Sequence, residues 1–259
     1  MRLKLYQIYP LLQPYIKLIC TMDCDENVDT HQIRVLPDTC VEVFLNYTET
    51  PLAIIGNELH QHSIVTSRMN CSMDVRMRKG AGCIAICFQP GMAYHFFNTS
   101  MDLLSNKTIP LTNFWGQTTF HLEEKLSTAK SNYIRVEIVQ QYLLELLNKN
   151  KVTVPMVNAL ANINFSAGLT ASGLNHNFSI SQRQFNRKFL QQVGLSPKAY
   201  LNANRFINSL AYLKRYPSLS LTEIAYRNGY YDQAHFIRDC KVYTGYTPSQ
   251  VARDKSILY

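Results

Sequence analysis

The C-terminal part of this chain repeats itself. A displacement of 51 residues brings Ser181 onto Asp232, Phe185 onto Phe236, Arg187 onto Arg238, Phe189 onto Cys240, Gly194 onto Gly245, Ser196 onto Thr247 and Pro197 onto Pro248. Repetition at fixed spacing means that one supersecondary unit is used twice. Each copy reads as a capping residue, a helix of about three turns, a glycine stop and a Ser/Thr-Pro turn. A shorter helix is predicted before each, over 171–177 with Thr170 as cap and over 221–228 with Ser220 as cap. Two short helices joined by a tight turn, the second rich in basic and amide side chains, describe a helix-turn-helix. An amphipathic segment over 199–216 joins the two units as a long helix. Leu201, Phe206, Leu210 and Leu213 form its predicted buried side.

Helical geometry then divides the side chains. Phe185, Phe189 and Val193 recur at i, i+4 and i+8 and seat the first helix. Phe236, Cys240 and Tyr243 seat the second. Arg183, Asn186 and Arg187 are left outward on the first, and Gln233, Ala234, Ile237 and Arg238 on the second. These side chains suit base edges. Arg matches the O6/N7 pair of guanine, Asn or Gln matches the N6/N7 pair of adenine, and a small apolar group meets a thymine methyl. Lys188, Lys214, Arg215 and Lys241 suit phosphate oxygens. Gln182 and Gln184 read equally well as solvent-facing filler, and Arg205 as one half of a structural ion pair.

Charge agrees with this partition. Residues 1–150 hold 13 Lys/Arg and 14 Asp/Glu, whereas residues 151–259 hold 13 and 4. The whole excess of +8 therefore lies in the repeated part, which suggests a polyanionic partner. An outward Arg on one amphipathic helix is ordinarily a solvated face. Two such helices in register, within a segment of net charge +9, point to nucleic acid instead.

The front of the chain has another character. "MDVRMR" at 73–78 alternates with the period of a half-buried strand. "VEVFLNY" (41–47), "LAIIG" (52–56) and "GCIAICF" (82–88) are short apolar runs bounded by turn residues. Closely spaced short strands predict a barrel or sandwich. From residue 92 the pattern turns helical. The clearest helix is 132–149, whose broad apolar stripe (Ile134, Ile138, Val139, Tyr142, Leu143, Leu146, Leu147) hints at a partner surface, a second copy of the chain among the choices. Polar residues followed by Pro155 place a domain boundary near 150. The expected fold is α+β: a β-rich domain with trailing helices over 1–150, then an all-α double helix-turn-helix domain over 151–259.

Several classes find little support. No run approaches the ~18–20 apolar residues of a membrane span, and no secretory pattern opens the chain, so a cytoplasmic protein with reduced cysteines is expected. His60 and His62 would share a face of a strand, but no carboxylate follows at ligand spacing, and no metal is expected. Cys20 and Cys24 lack a closing pair, while Cys83 and Cys87 sit in an apolar run. No nucleophile–base order, phosphate loop or paired acids stand out, so neither a cofactor nor an enzymatic activity is expected.

The stretch "LTEIAYRNGYYDQAHFIRDCKVYTGYTPSQV" (221–251) resembles the signature region of the AraC family of bacterial transcription regulators. Ile224, Ala225, Gly229, Tyr230, Phe236, Arg238, Gly245 and Pro248 stand where the family pattern has them. "SISQRQFNRKFLQQVGLSPKAYL" (179–201) resembles the first unit. Three positions depart: Cys240 replaces the usual Phe, and Asn175 and Ser179 replace a small Ala and a turn Gly. The front segments "VLPDTCVEVFLNY", "FQPGMAYHFF" and "LTNFWG" look like an uncharacterised β-rich domain often found before this reader. The resemblance implies promoter binding with both recognition helices in successive major-groove segments. It also implies that a small-molecule signal in residues 1–150 alters promoter occupancy or contact with RNA polymerase. The competing expectation is a front half that is catalytic or methyl-accepting.

Overall fold

The computed structural model describes residues 1–24, 29–30, 32–149, 180–254 and 257–258. The expected boundary near 150, the helix over 171–177 with its Thr170 cap, Asn175 and Ser179 lie outside the described residues.

The front of the chain folds into two facing sheets. The larger runs in the order β1 (Arg2–Tyr6), β2 (Ile16–Asp23), β9 (Gly82–Phe88), β4 (Val41–Asn46), β7 (Ile64–Ser67) and β10 (Thr108–Pro110). The smaller runs β11 (Ile257–Leu258), β3 (Ile33–Val35), β8 (Met73–Met77), β5 (Ala53–Ile55) and β6 (Glu58–His60). All ladders are antiparallel except β11 with β3, which brings the end of the chain beside the front sheet. Among the described residues the two sheets have separate strand orders and do not close on each other, an open sandwich rather than a barrel.

Period-two alternation explains the layering. In β9 every residue is buried. Ile84, Ile86 and Phe88 join the helix-side core, while Cys83 joins the cluster facing the second sheet with Leu52 and Met77. Both faces of this central strand are covered, so its sequence reads as a continuous apolar run rather than an alternating one.

Helices α1 (Tyr94–Phe97), α2 (Thr112–Trp115), α3 (Thr118–Thr128) and α4 (Asn132–Lys149) follow, with a 3-10 turn over Met101–Leu104. β10 interrupts this helical stretch, contrary to the sequence pattern. Its three residues pair with β7 and carry no alternation that could announce them. On α4 the buried side is Val136, Val139, Gln140 and Leu143. Ile134 stays 42% exposed, so part of the broad stripe is left without cover.

The C-terminal helices are α5 (Gln182–Val193), α6 (Pro197–Arg215), α7 (Leu221–Arg227), α8 (Gln233–Thr244) and α9 (Pro248–Arg253). Phe185, Phe189 and Val193 of α5, with Tyr200 and Ala203 of α6, belong to the same buried cluster as the front strands. The second cluster gathers Phe206, Leu210, Ile224, Phe236 and Cys240, and takes in Leu36 from the front. On α6 Phe206, Leu210 and Leu213 are buried as expected, but Leu201 is half-buried and Tyr200 takes the inner place. A helix with apolar residues side by side leaves that one-position rotation open until the partner surface decides it.

Candidate nucleic-acid interface

Each recognition helix is delimited by the residues that the repeat singles out. Ser181 Oγ accepts the Gln184 N–H at 3.3 Å, and Gln184 Oε1 accepts the Ser181 N–H at 3.2 Å, a reciprocal cap on α5. Gln184 is thus a capping residue and not filler. Asp232 caps α8 by accepting the His235 N–H at 2.7 Å. Both helices stop at a left-handed glycine, Gly194 with φ 89° and Gly245 with φ 80°. Ser196 and Thr247 then cap α6 and α9, each followed by proline in the first turn. Ser220 and Glu223 cap α7 reciprocally at 3.2 and 2.8 Å, and the hydrogen bond from the Ser220 backbone holds Glu223 below the usual carboxylate range.

Phe185 and Phe236 seat the two helices at 1% and 0% exposure, so the same faces turn outward. Arg183, Asn186, Arg187 and Lys188 are exposed on α5. Ala234, Arg238 and Lys241 are exposed on α8, with Gln233 and Ile237 half-buried beside them. The 51-residue register superimposes Gln182 on Gln233, Arg183 on Ala234, Asn186 on Ile237 and Arg187 on Arg238, one helical face in both units. Gln182 donates to Asn186 at 3.0 Å, and Thr222 of α7 donates to Gln233 at 2.7 Å, so two of these amides are already oriented. Lys214 and Arg215 are exposed at the end of α6.

The carboxylates of this region are mostly spent on structure. Asp232 and Glu223 cap helices. Asp239 lies 3.3 Å from Arg205, whose guanidinium also stands 4.5 Å over the Tyr230 ring. Arg205 is therefore the structural ion pair rather than an outward cation. The basic side chains of α5 and α8 keep their field toward solvent.

Cys240 is fully buried, and burial pushes its thiol up to about 11. The ring that Phe189 supplies in the first unit is missing here. Tyr243, in register with Gln192, stacks on Phe206 at 4.7 Å with planes 24° apart. The aromatic volume enters from a neighbouring position.

Two front residues that the sequence pattern does not announce hold the helix ends. Ser105 donates to the Gly194 carbonyl at 2.6 Å. Arg34 is bidentate to Asp74 at 2.6 and 2.7 Å, stands 5.1 Å over the Tyr246 ring and reaches the Thr244 carbonyl at 3.5 Å. A cation at the carboxyl end of α8 is favoured by the helix dipole. Both grips fall at the C-terminal ends, away from Arg183 and Ala234.

Among the described residues, no helix is long and apolar enough to cross a membrane. Comparison with known proteins adds the family. Residues 174–254 match the helix-turn-helix domain family, and residues 6–110 match a domain of unknown function (DUF6597). The HTH-type transcriptional activator RhaS of Escherichia coli (strain SE11) is 33% identical over 109 residues, covering 39% of this chain and 39% of that protein. RhaS of Shigella boydii serotype 18 matches with the same identity and coverage. The chain thus spans 39% of the length of these curated relatives. A solved structure of ToxT from Vibrio cholerae is similar over 97% of this chain and 98% of that one, with a TM-score of 0.45 at 12% identity. Residues 174–254 are thus a helix-turn-helix domain, and the chain is similar over 39% of its length to HTH-type transcriptional activators.

Proposed function

We propose that this protein is a sequence-specific transcriptional regulator that places α5 and α8 in successive major-groove segments of a promoter. The observation that carries this reading is the matched outward face of the two helices, capped and seated alike. Arg183, Asn186, Arg187, Gln233, Ala234, Ile237 and Arg238 are the base-reading residues, with Lys188, Lys214, Arg215 and Lys241 on phosphates. Gln182 joins the first set because it repeats Gln233. A promoter-binding role places the protein in the cytoplasm, with RNA polymerase as a further partner. Residues 151–259 act as the reader and residues 1–150 as the sensing and dimerising part, the uncovered side of α4 being the surface for a second copy.

A small-molecule effector fits between the sheets. A cavity of about 240 Å³ there is walled mainly by apolar side chains, among them Leu18, Met22, Phe44 and Val75, with Arg68 and Glu42 on its lining. An apolar fluorescent probe is expected to bind the wild type one to one and to lose binding in Ala85→Phe, which fills the cavity wall. Equal binding by both would exclude this cavity.

The reading as a whole is tested by mapping bound sites across the genome and titrating one site with salt. Four phosphate contacts predict a slope of log affinity on log salt of about −3 to −4. A flat profile would overturn the assignment of the basic face.

A further inference from the structure

Where the front sheet meets α6, Asp38, Cys40 and Cys87 bring a carboxylate oxygen and two sulfurs within 4.8 Å of one another. Cys40 is 1% and Cys87 3% exposed. Three strands build the site. Cys87 lies on β9 opposite Leu18 of β2 and Glu42 of β4, and Cys40 immediately precedes β4. The β2–β9 register breaks between Ile16 and Leu18. Lys17, at that break, is directed to Cys40, its Nζ 3.9 Å from the sulfur.

The trio resembles part of a metal site, but its counter-charges are already present. Asp38 accepts the Cys40 N–H at 3.1 Å and lies 3.3 Å from the Arg68 guanidinium. Arg68 is also paired with Glu42 at 2.5 Å, so its charge is taken up by two carboxylates, and Lys17 is the cation that faces the Cys40 sulfur. A cation beside a sulfur favours its thiolate form. The two sulfurs are also unlike. The interaction with Cys40 and burial push the Cys87 thiol well up, so Cys87 keeps its proton, and its sulfur donates to the Phe88 carbonyl at 3.9 Å.

We propose that Cys40 and Cys87 form a reversible redox dithiol, with Cys40 the attacking and Cys87 the resolving sulfur, closed to a disulfide by peroxide. In the first step the Cys40 thiolate attacks one oxygen of hydrogen peroxide. The S–O bond forms, the O–O bond breaks, and the departing hydroxide leaves as water by taking from solvent the proton that Cys40 released on forming the thiolate. Cys40 is thereby oxidised by two electrons to the sulfenic acid. In the second step the Cys87 sulfur displaces that hydroxyl group, which leaves as water with the Cys87 proton. The two thiols lose two electrons in all, and the peroxide gains them. Lys17 is a positioning residue that holds the thiolate. A dithiol reductant reverses the bond.

The test uses the full-length chain, hydrogen peroxide, thiol counting and peptide mass spectrometry. The expected result is the loss of two thiols from Cys40 and Cys87 in one linked peptide, restored by dithiothreitol. Cys87→Ser should stop at a sulfenic acid on Cys40 that a dimedone probe captures. Lys17→Met, which alters an exposed side chain, should slow the reaction severalfold, because the cation 3.9 Å from the Cys40 sulfur is lost. This variant keeps the test available if a cysteine substitution prevents folding. Oxidation confined to the exposed Cys71, a different linked pair, or an unchanged rate in Lys17→Met would each overturn the proposal. So would stoichiometric zinc in the purified protein that Cys40→Ser abolishes.

Discussion

The Ser105 hydroxyl donates to the backbone carbonyl of Gly194 at 2.6 Å, joining a front turn to the residue that ends the first recognition helix. The approach is close enough that a Cβ on Gly194 would stand 2.9 Å from the Met101 carbonyl oxygen. Gly245, its counterpart, has only the Arg34 side chain at 3.5 Å, an ordinary contact. Both glycines have positive φ, which costs another residue about 1–2 kcal/mol. Gly194→Ala should therefore destabilise more than Gly245→Ala, because only the first adds a backbone collision to the torsional cost. Equilibrium denaturation of the two variants checks the order. Equal losses would mean that the front turn does not hold this position.

Arg34 supplies the corresponding grip on the second unit, and its pair with Asp74 gives a pH signature. The hydrogen bond from Arg34 holds Asp74 below the usual carboxylate range. A carboxylate with a lowered folded pKa contributes stability that is complete above its unfolded value of about 3.9. That contribution is lost as pH falls through the lower folded value. Wild type should lose more stability than Arg34→Met between about pH 5 and pH 3. Parallel acid-denaturation curves would show that the pair contributes nothing.

Cys240 looks in the sequence like a gap left by a missing Phe. In the structure Tyr243 already stacks on Phe206, and Cys240 is 0% exposed. Restoring the family residue with Cys240→Phe should therefore overpack the second unit and destabilise it by about 1–3 kcal/mol. A stabilised variant in thermal or denaturant unfolding would show that the gap is real.

What could be read in advance follows from how local each cause is. The second unit was legible because caps, glycine stops and a 3.6-residue period are written within a few residues of one another. Helix α4 was legible over its whole length, Asn132–Lys149, for the same reason. Its buried side was less so, since Ile134 and Val136 are equally apolar and only the packed neighbours choose between them. Ser105, Arg34 and Leu36 gave no signal, because their roles exist only once the front turn and β3 lie against the helices. The capping role of Gln184 was in the sequence, three residues after Ser181. It was masked by Gln182, which looks the same but faces outward. The helical period alone separates the exposed Arg183, Asn186, Arg187, Ala234 and Arg238 from the buried phenylalanines, while the half-buried Gln233 and Ile237 depend on the neighbouring helix, and which base each side chain reads depends on DNA.

The central claim is that both helices read bases, and paired specificity profiling tests it most directly. Binding of the wild type, Arg187→Ala and Arg238→Ala would be measured against a site varied one base pair at a time. Each variant should lose about 1–3 kcal/mol and relax preference at one position. The two relaxed positions should lie about one helical turn apart, ~10 base pairs, as successive groove segments require. A uniform loss on every sequence for either variant would make that arginine a phosphate contact and contradict the account of two matched readers.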